Sequence, residues 1–343
     1  MRRHALLAAA SAAVIAVAAL ASAGTASAEP SVIKIGSHTP PKASHITKIL
    51  QPWMKRIETE SGGTVKFQEF WGGQLIRQPN KQYEGMINGI QDSTPVLPSY
   101  TEALFPDFGL FSLPFLFHGT GSEESAAVGW KLHEKGLING LDKVYVAAVY
   151  SNDNGGMHFN SAFKSFDDMH GKKVRAAGPG EADVIKAVGA TPVSMAITQV
   201  AESLNRGVID GTFNGWSALN TFRITPLIKT HVDMPFGVRA FFMAINKKVY
   251  DGLPAAARRA IDKNSGLEFS KAHGAHWAAE GLQVRKESEK DRIVLTPSKE
   301  QLAAWSAKFR MFHDEWIKEQ DAAHRRKLYD ATMDILKALR ASS

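Results

Sequence analysis

Apolar residues along the chain form short β-type runs that alternate with helical stretches. Runs rich in Val, Ile, Tyr and Phe between polar or glycine positions predict strands. Apolar positions three and four residues apart predict helices with one buried face. The strands are predicted at residues 31–36, 65–70, 143–150 and from 173 onward, and the helices at 46–57, 81–89, 181–188 and 199–205. This repeated order of strand and helix predicts an α/β fold.

Glycine and proline indicate where several of these elements end. Gly189 and Gly207 follow two predicted helices at the position where a left-handed C-cap residue is favoured. Pro52 falls inside the helical pattern 46–57, so this segment is either one kinked helix or two shorter pieces that share an apolar face. From Pro254 onward, helix-forming stretches run to residue 290 and again from 299 to 340. The last third of the chain is therefore predicted to be mainly helical.

The N-terminus has the pattern of an export signal. Arg2 and Arg3 precede an Ala/Leu/Val-rich run at residues 5–23, and the small residues Ala26-Ser27-Ala28 follow. This arrangement predicts a secretory signal peptide at residues 1–28, cleaved after Ala28. An uncleaved membrane anchor is the alternative, although the many alanines make the run only weakly hydrophobic. We expect the mature chain to be soluble and exported.

Length, cysteine content and charge narrow the possible functions. A chain of 343 residues suits two α/β lobes. The absence of cysteine excludes disulfides, thiolate zinc sites, iron–sulfur ligation and thiol catalysis. The 41 Lys and Arg exceed the 34 Asp and Glu by seven, and by five once Arg2 and Arg3 are removed. The basic cluster at residues 324–327 lacks interleaved aromatic residues, so we expect a solvated helix face and no nucleic-acid partner.

Sequence motifs of common enzyme and cofactor sites are missing from the chain. His273 and His276 have helical i,i+3 spacing, but the sequence has no His-Glu-x-x-His, and we expect no metal ion and no cofactor. Gly178-Pro179-Gly180 resembles half of a dinucleotide fingerprint, with Asp183 where the third glycine is needed. Neither a Gly-x-Ser-x-Gly elbow nor a Walker A loop occurs. No motif supports serine hydrolysis or phosphoryl transfer. An enzyme whose site residues are dispersed along the chain is still an open alternative.

Three linked motifs in the middle of the chain carry a resemblance to a known family. They are Asp168-Met-His-Gly171-Lys-Lys-Val-Arg175, Gly189-Ala-Thr-Pro192-Val-Ser-Met195 and Leu204-Asn-Arg-Gly207-Val-Ile-Asp210-Gly211. Together they resemble the signature of the DctP-type substrate-binding proteins of TRAP transporters. Shorter matches, such as Gly72-Gly73-Gln74-Leu75 and Asn246-Lys247-Lys248, extend the resemblance over nearly the whole mature chain.

The resemblance implies an α/β, two-lobed, periplasmic-binding-protein-like (type II) clamshell with long hinge-spanning and C-terminal helices. On this basis we expect lobe I to comprise residues 29–152 and about 238–280, and lobe II residues 153–237 and about 281–343. The resemblance also implies a monomeric periplasmic protein that is not an enzyme. Such a protein closes on a small organic acid and passes it to the membrane subunits of a TRAP transporter.

The resemblance also implies candidate ligand contacts. In the family, the arginine that falls on Arg175 forms a salt bridge with the ligand carboxylate, which suits a planar guanidinium that donates two parallel hydrogen bonds. Without the family resemblance, we would expect Arg175 to be an arginine at the end of a strand that pairs with an acid such as Asp168. Asn214 matches a polar contact, and Trp216 is expected either to stack on the ligand or to pack the lobe. The remaining candidates are Ile197 at a wall position, and His38 and Tyr100 on loops of the other lobe.

Two departures from the family pattern bear on the ligand. Many relatives have a second arginine where this sequence has Gly155-Gly156-Met157-His158, and Gln199 replaces a common glutamate. The second cationic anchor is therefore expected to be missing, and a dianionic ligand would lose a charge partner. With Met157, His158 and Phe213 added to the candidate contacts, we expect a monocarboxylate with an apolar or aromatic remainder, or a 2-oxo or 2-hydroxy acid. An exported enzyme and a sensor-linked binding module are the alternatives.

Overall fold

A computed structural model describes residues 29–342 of the chain. The predicted signal peptide and its cleavage site after Ala28 lie outside the described residues. Within 29–342, no helix has both the length and the apolar character needed to cross a membrane.

The chain alternates strands and helices up to residue 246 and is mainly helical afterwards. The strands are β1 (Ser31–Gly36), β2 (Val65–Phe70), β3 (Ser93–Val96), β4 (Val144–Ser151), β5 (Gly155–Phe159), β6 (Lys173–Ala176), β7 (Thr191–Ser194), β8 (Gly211–Gly215), β9 (Thr230–Val232), β10 (Ala240–Asn246) and β11 (Ile293–Leu295). The α-helices are α1 (Gln51–Glu60), α2 (Gln82–Ile87), α3 (Ser122–Glu134), α4 (Pro179–Ala187), α5 (Val200–Asn205), α6 (Trp216–Thr221), α7 (Lys247–Gly252), α8 (Ala255–Lys263), α9 (Leu267–Ser288), α10 (Lys299–Lys318) and α11 (Ala322–Ala341). The predicted α/β class is confirmed.

The segment around Pro52 stays helical throughout. A π-helical turn, Ile46–Leu50, leads directly into α1 (Gln51–Glu60). Pro52 lies in the first turn of α1, where its missing N–H costs least, and the wider turn precedes it. The apolar face of the run is buried as its spacing predicts. Gly189 and Gly207 have φ angles of 83° and 68°, which confirms their predicted left-handed conformation after α4 and α5.

Two separate β-sheets organise the fold. The first has the strand order β2-β1-β3-β10-β4, with β1 parallel to β2 and β3, and β10 antiparallel to β3 and β4. The second has the order β11-β9-β5-β8-β6-β7, with β6 parallel to β7 and β8, and β5 antiparallel to β8 and β9. We call the bodies built around these sheets lobe I and lobe II. The chain crosses between them after β4 and again before β10.

Two long helices pack on both lobes. In α9, Phe269 and Trp277 belong to a core cluster of lobe I, whereas Val284 packs among residues of lobe II. In α10, Phe309 lies in the lobe II core, and Trp316 near its end lies in the lobe I core. These helices fit the hinge-spanning helices that the family resemblance implies.

The last helix departs from the expected lobe boundaries. Residues from about 281 to 343 are expected in lobe II, but α11 packs on the lobe I core. Its Leu328, Ile335 and Leu336 are buried in the same cluster as Phe105 and Val96. α11 has an apolar stripe that packs against a hydrophobic core. Because α10 crosses from lobe II to lobe I, the helix that follows it packs on the lobe I core.

Candidate functional site

A cavity between the lobes gathers side chains from both sheets. Its walls comprise His38, Thr39, His45, Pro95, Leu97, Tyr100, Tyr150, Asn152, Arg175, Ala177, Ile197, Asn214, Ser217, Ala218, Thr221, Phe222, Arg239, Phe241 and Trp277. His38 follows β1 and Tyr100 follows β3, while Arg175 and Asn214 lie near the ends of β6 and β8. The carboxyl ends of parallel strands are the usual ligand-binding edge of an open α/β sheet. Five of the candidate ligand contacts line this cavity: Arg175, Asn214, Ile197, His38 and Tyr100.

Arg175 is a buried guanidinium that has no acidic partner among residues 29–342. Its side chain is 1% exposed. Nε donates to the Met195 carbonyl at 3.0 Å, and Nη2 donates to Tyr100 Oη at 3.0 Å. Asp168 instead accepts a hydrogen bond from the backbone N–H of Ser165 at 3.1 Å, so it is not the partner of Arg175. Because a buried charge without a counter-ion is costly, this arrangement is suited to an anionic ligand.

Asn214 connects Arg175 to a second guanidinium. When the side-chain amide is assigned the orientation that pairs both of its groups, Oδ1 accepts from Arg175 Nη1 at 3.3 Å and the amide nitrogen donates to the Phe213 carbonyl at 3.0 Å. The same carbonyl accepts from Arg239 Nη2 at 2.8 Å. The two arginines therefore flank residues 213 and 214 of β8.

The cavity wall contains a second cationic side chain besides Arg175. Arg239, just before β10, lines the cavity and is 5% exposed. Its Nε donates to Glu181 Oε1 at 2.6 Å in a buried ion pair. No motif marked Arg239, because it reaches the cavity only when the chain crosses back from lobe II to lobe I. Its charge is compensated by Glu181, whereas the charge of Arg175 is not.

Tyr100 and His38 approach Arg175 from lobe I. Tyr100 Oη accepts from Arg175 Nη2 and also from the backbone N–H of Ile197, at 3.1 Å. The His38 ring stacks on Phe222, with centroids 6.1 Å apart. Burial, with a smaller contribution from the Arg175 charge, lowers the pKa of His38 to about 4. His38 is therefore a neutral imidazole at pH 7 and adds no positive charge to the cavity.

Aromatic rings form much of the lobe I wall of the cavity. Tyr150 stacks on Phe241 with centroids 5.7 Å apart, and Trp277 lies 5.1 Å from Phe241. His45 meets the Trp277 ring edge-on at 5.3 Å, and burial is the main cause that lowers its pKa to about 3. Within residues 29–342, Tyr150 Oη and His45 Nδ1 are buried and have no hydrogen-bond partner. This wall is suited to an aromatic group that carries a polar substituent.

Four sequence candidates lie outside the cavity lining. This corrects the expected placement of Met157, His158 and Phe213, whereas Trp216 takes the packing role that was one of its two expected roles. Met157 and Phe213 pair across β5 and β8 and point into the lobe II core, because successive side chains of a strand alternate between faces and Asn214 takes the cavity face. His158 lies behind Asn214 and donates from Nε2 to its carbonyl at 3.0 Å. Trp216 packs the lobe, and its Nε1 donates to Asp233 at 3.1 Å. These residues support the wall rather than form it.

The part of the chain that the structure describes contains no group of three or more His, Asp or Glu side chains arranged to hold a metal ion. His273, one of the i,i+3 histidine pair, is instead buried in the lobe I core and stacks on Tyr150 at 3.8 Å.

Two lobes joined by crossing segments, with a buried arginine in the cavity between them, define an extracellular solute-binding protein. The sequence model of the DctP family, described as bacterial extracellular solute-binding protein, family 7, matches residues 36–320. The chain belongs to this family. The predicted resemblance to the TRAP solute-binding proteins is thereby confirmed, and the described fold is their two-lobed type II fold.

Individual relatives differ in the ligands named for them. The C4-dicarboxylate-binding periplasmic protein DctP of Rhodobacter capsulatus is 27% identical over 298 residues, covering 84% of this chain and 87% of the relative. A marine metagenome TRAP solute-binding protein specific for aromatic acid ligands, solved with 3-hydroxybenzoate, has a TM-score of 0.84 and 26% identity, covering 91% of this chain and 99% of that one. A TRAP solute-binding protein from Rhodoferax ferrireducens T118, solved with benzoate, has a TM-score of 0.84 and 23% identity, with the same coverage.

Proposed function

We propose that this TRAP solute-binding protein captures a monocarboxylate with an aromatic remainder and delivers it to the membrane subunits of the transporter. One observation carries the proposal: within residues 29–342, Arg175 lines the cavity without a carboxylate partner, whereas Arg239 is paired with Glu181. One uncompensated positive charge matches one ligand carboxylate. Arg175 is the proposed anchor for that carboxylate, through charge-assisted hydrogen bonds.

Charge favours an aromatic acid over a dicarboxylate. Relatives of comparable identity are named for both ligand classes, so similarity alone does not decide between them. A dicarboxylate would bring two negative charges to a cavity with one uncompensated cation, and a buried charge without a partner is costly. The cavity walls also favour an aromatic acid, because the rings of Tyr150, Phe241 and Trp277 can stack on an aromatic group.

The mechanism that we propose is lobe closure around the acid. In the open state, the acid reaches Arg175 on lobe II. Closure then brings Tyr100 and His38 of lobe I over the bound group, and the transporter recognises the closed form. We further propose that the protein acts as a periplasmic monomer after removal of its signal peptide, and that the acid is released unchanged rather than converted by an enzymatic step.

A binding screen tests the proposed function. The purified mature protein is unfolded thermally with benzoate, 3-hydroxybenzoate, phenylacetate, succinate and malate, and the ligands that shift the midpoint are measured by calorimetry. A bound ligand raises the midpoint by mass action. We expect the aromatic monocarboxylates to bind and the dicarboxylates to bind more weakly or not at all. Tighter binding of succinate or malate would overturn the proposal, and turnover of a bound acid into product would support an enzyme instead.

A further inference from the structure

We propose that the Glu280 side chain of α9 is a latch that holds the two lobes together and slows the release of a bound acid. Glu280 accepts one hydrogen bond from each lobe, from Ser44 and from Asn220. The role of this latch rests on the function proposed above, since it acts on the proposed lobe closure. Its contacts lie beside the cavity and do not depend on which acid is bound.

Glu280 lies where α9 passes from one lobe to the other. Trp277, three residues before it, packs in the lobe I core, and Val284, four residues after it, packs among residues of lobe II. Residues three and four positions apart share one face of a helix, so Glu280 faces the boundary between the lobes. Its side chain is only 9% exposed. A carboxylate with so little contact with water depends on hydrogen bonds from protein donors.

Each carboxylate oxygen of Glu280 has a donor from a different lobe. Oε2 accepts from Ser44 Oγ at 2.6 Å, and Oε1 accepts from Asn220 Nδ2 at 3.0 Å. Ser44 comes just before the π-helical turn whose Ile46 is buried in the lobe I core. Asn220 belongs to α6, whose Leu219 is buried in lobe II. A motion that separates Ser44 from Asn220 therefore breaks at least one of the two hydrogen bonds.

A neighbouring histidine determines the direction of the Ser44 hydrogen bond. His276 Nε2 lies 2.9 Å from Ser44 Oγ and 3.9 Å from Glu280 Oε2. A hydroxyl has one proton to donate and an ionised carboxylate only accepts, so Ser44 donates to Glu280 and accepts from His276 Nε2. Burial, as the largest cause, lowers the pKa of His276, which is therefore a neutral donor at pH 7.

A glycine lets α9 pack directly against a segment that crosses between the lobes. Asp153 lies between β4 and β5, where the chain first passes from lobe I to lobe II. A Cβ atom at Gly281 would lie 2.7 Å from Asp153 Oδ2, which is too close for a carbon and an oxygen that are not bonded. The position of α9 at Glu280 is therefore fixed by its contact with the crossing segment.

Both donors of the latch are next to residues of the cavity wall. His45 follows Ser44 on lobe I, Thr221 follows Asn220 on lobe II, and both His45 and Thr221 line the cavity. The hydrogen bonds to Glu280 thus hold one segment of each wall in place. Because a bound acid leaves when these walls separate, loss of either hydrogen bond should speed its release.

Substitution of each donor tests the latch. Ser44→Ala and Asn220→Ala each remove one donor and keep Glu280. Stopped-flow measurements with benzoate and with succinate give the association and dissociation rates. We expect each variant to release the acid about fivefold faster, because the closed form loses one hydrogen bond to a charged group. The association rate should stay unchanged, since these hydrogen bonds form after the acid has entered.

The double variant distinguishes a latch from two independent contacts. The two hydrogen bonds act in series through Glu280, so loss of either one disconnects the lobes. We expect Ser44→Ala with Asn220→Ala to release the acid about fivefold faster, like each single variant, whereas independent contacts would give roughly twenty-fivefold. Gln283→Ala is the matched control and should change nothing, because its hydrogen bond to Glu287, at 3.0 Å, lies within α9.

Paired spin labels measure the separation of the lobes directly. The chain has no cysteine, so Lys66→Cys on β2 and Asn205→Cys on α5 place one label on each lobe. With saturating benzoate or succinate, we expect Ser44→Ala and Asn220→Ala to raise the population at the longer label distance about fivefold relative to the labelled protein without them. A local packing defect would not move this population.

Two sets of outcomes separate the latch from the function on which it rests. Unchanged dissociation rates in Ser44→Ala and Asn220→Ala, independent effects in the double variant, or unchanged label distances would overturn the latch. A wild-type protein that binds succinate and no aromatic acid would overturn the proposed ligand class instead. The same variants then test the latch with succinate.

Discussion

Tyr100 Oη lies 3.0 Å from Arg175 Nη2, and this hydrogen bond joins the two lobes across the cavity. Tyr100 follows β3 of lobe I, whereas Arg175 belongs to β6 of lobe II. The same phenol oxygen accepts from the backbone N–H of Ile197, also in lobe II. One side chain of lobe I therefore contacts both the proposed carboxylate anchor and the loop beside it. We therefore propose that Tyr100 links ligand capture to lobe closure.

Replacement of Arg175 by alanine is expected to abolish binding of benzoate and phenylacetate. The variant removes the uncompensated cation, and a buried carboxylate would then have no charge partner. Arg175→Lys keeps the charge but loses the planar geometry, so we expect weakened rather than absent binding. Calorimetry gives the affinities, and Arg206→Ala, at an exposed ion pair of α5, is the control. Unchanged affinity in Arg175→Ala would contradict the anchor role.

Tyr100→Phe is expected to weaken closure while leaving each lobe folded. The variant removes the acceptor shared by Arg175 and Ile197, and two donors lose their partner in the closed form. We expect the affinity for phenylacetate to fall by about tenfold, mainly through faster dissociation. Stopped-flow measurements of association and dissociation test this expectation. A change confined to the association rate would argue against Tyr100 as a contact of the closed form.

Tyr150→Phe is expected to weaken the binding of ring-hydroxylated aromatic acids and to leave the binding of unsubstituted ones unchanged. Tyr150 Oη lines the cavity without a partner among the described residues, so it is available to a hydroxyl on the ligand ring. We expect the affinity for 3-hydroxybenzoate to fall by roughly fivefold to tenfold, and that for benzoate to stay unchanged. Tyr83→Phe, which lies outside the cavity lining, is the matched control. Equal losses for both ligands would assign Tyr150 to packing alone.

The unliganded protein is expected to lose stability as the pH falls below about 6.5. Burial, as the largest cause, lowers the pKa of His158 to about 4 and that of His231 to about 2, in addition to the shifts of His38 and His45. These histidines take up protons in the unfolded chain before they do so in the folded one, which favours unfolding between pH 6.5 and 4. Each net proton contributes about 1.4 kcal/mol per pH unit.

A buried carboxyl group, that of Asp153, and a half-buried one, that of Glu102, oppose this trend. Burial is also the largest cause that raises the pKa of Asp153 to about 6 and that of Glu102 to about 7. Their contribution to stability is present at low pH and is lost as the pH rises through these values. Because the four histidines outnumber the two carboxyl groups, we expect a net decrease in the free energy of unfolding as the pH falls toward 4. Thermal unfolding at a series of pH values measures the combined effect of these groups. An unfolding midpoint that becomes higher as the pH is lowered from 6.5 to 4 would contradict the prediction.

Leu336→Ala tests whether α11 belongs to the lobe I core. Leu336 is fully buried against that core, and loss of its side chain should cost about 2–5 kcal/mol of unfolding free energy. Met333→Ala, on the exposed face of the same helix, should change stability by no more than about 0.5 kcal/mol. Urea unfolding measures both. The affinity for phenylacetate should stay unchanged, since Leu336 does not line the cavity.

Local signals were sufficient for part of the secondary structure. The runs 31–36 and 65–70 became β1 and β2 at the predicted residues, because each apolar run has the length and composition of a strand. Gly189 and Gly207 end their helices as expected, since a left-handed residue is a local requirement. The state of the chain around Pro52 needed the structure, because a proline near the start of a helical turn permits more than one solution. Strands such as β3, β5 and β10 also needed it, since no predicted run covers them.

The sequence by itself determined the class of the fold, the family and the five candidates that line the cavity. These follow from periodicity and from motifs whose residues lie close together in the chain. Tertiary structure alone decided the faces of Met157 and Phe213, the packing of α11, and the meeting of Arg239 with Glu181, 58 residues apart. No local sequence pattern predicts such contacts, because they depend on how the two lobes and the segments that cross between them pack. The charge of the cavity is therefore a property of the folded chain, although its main cation, Arg175, was already evident in the sequence.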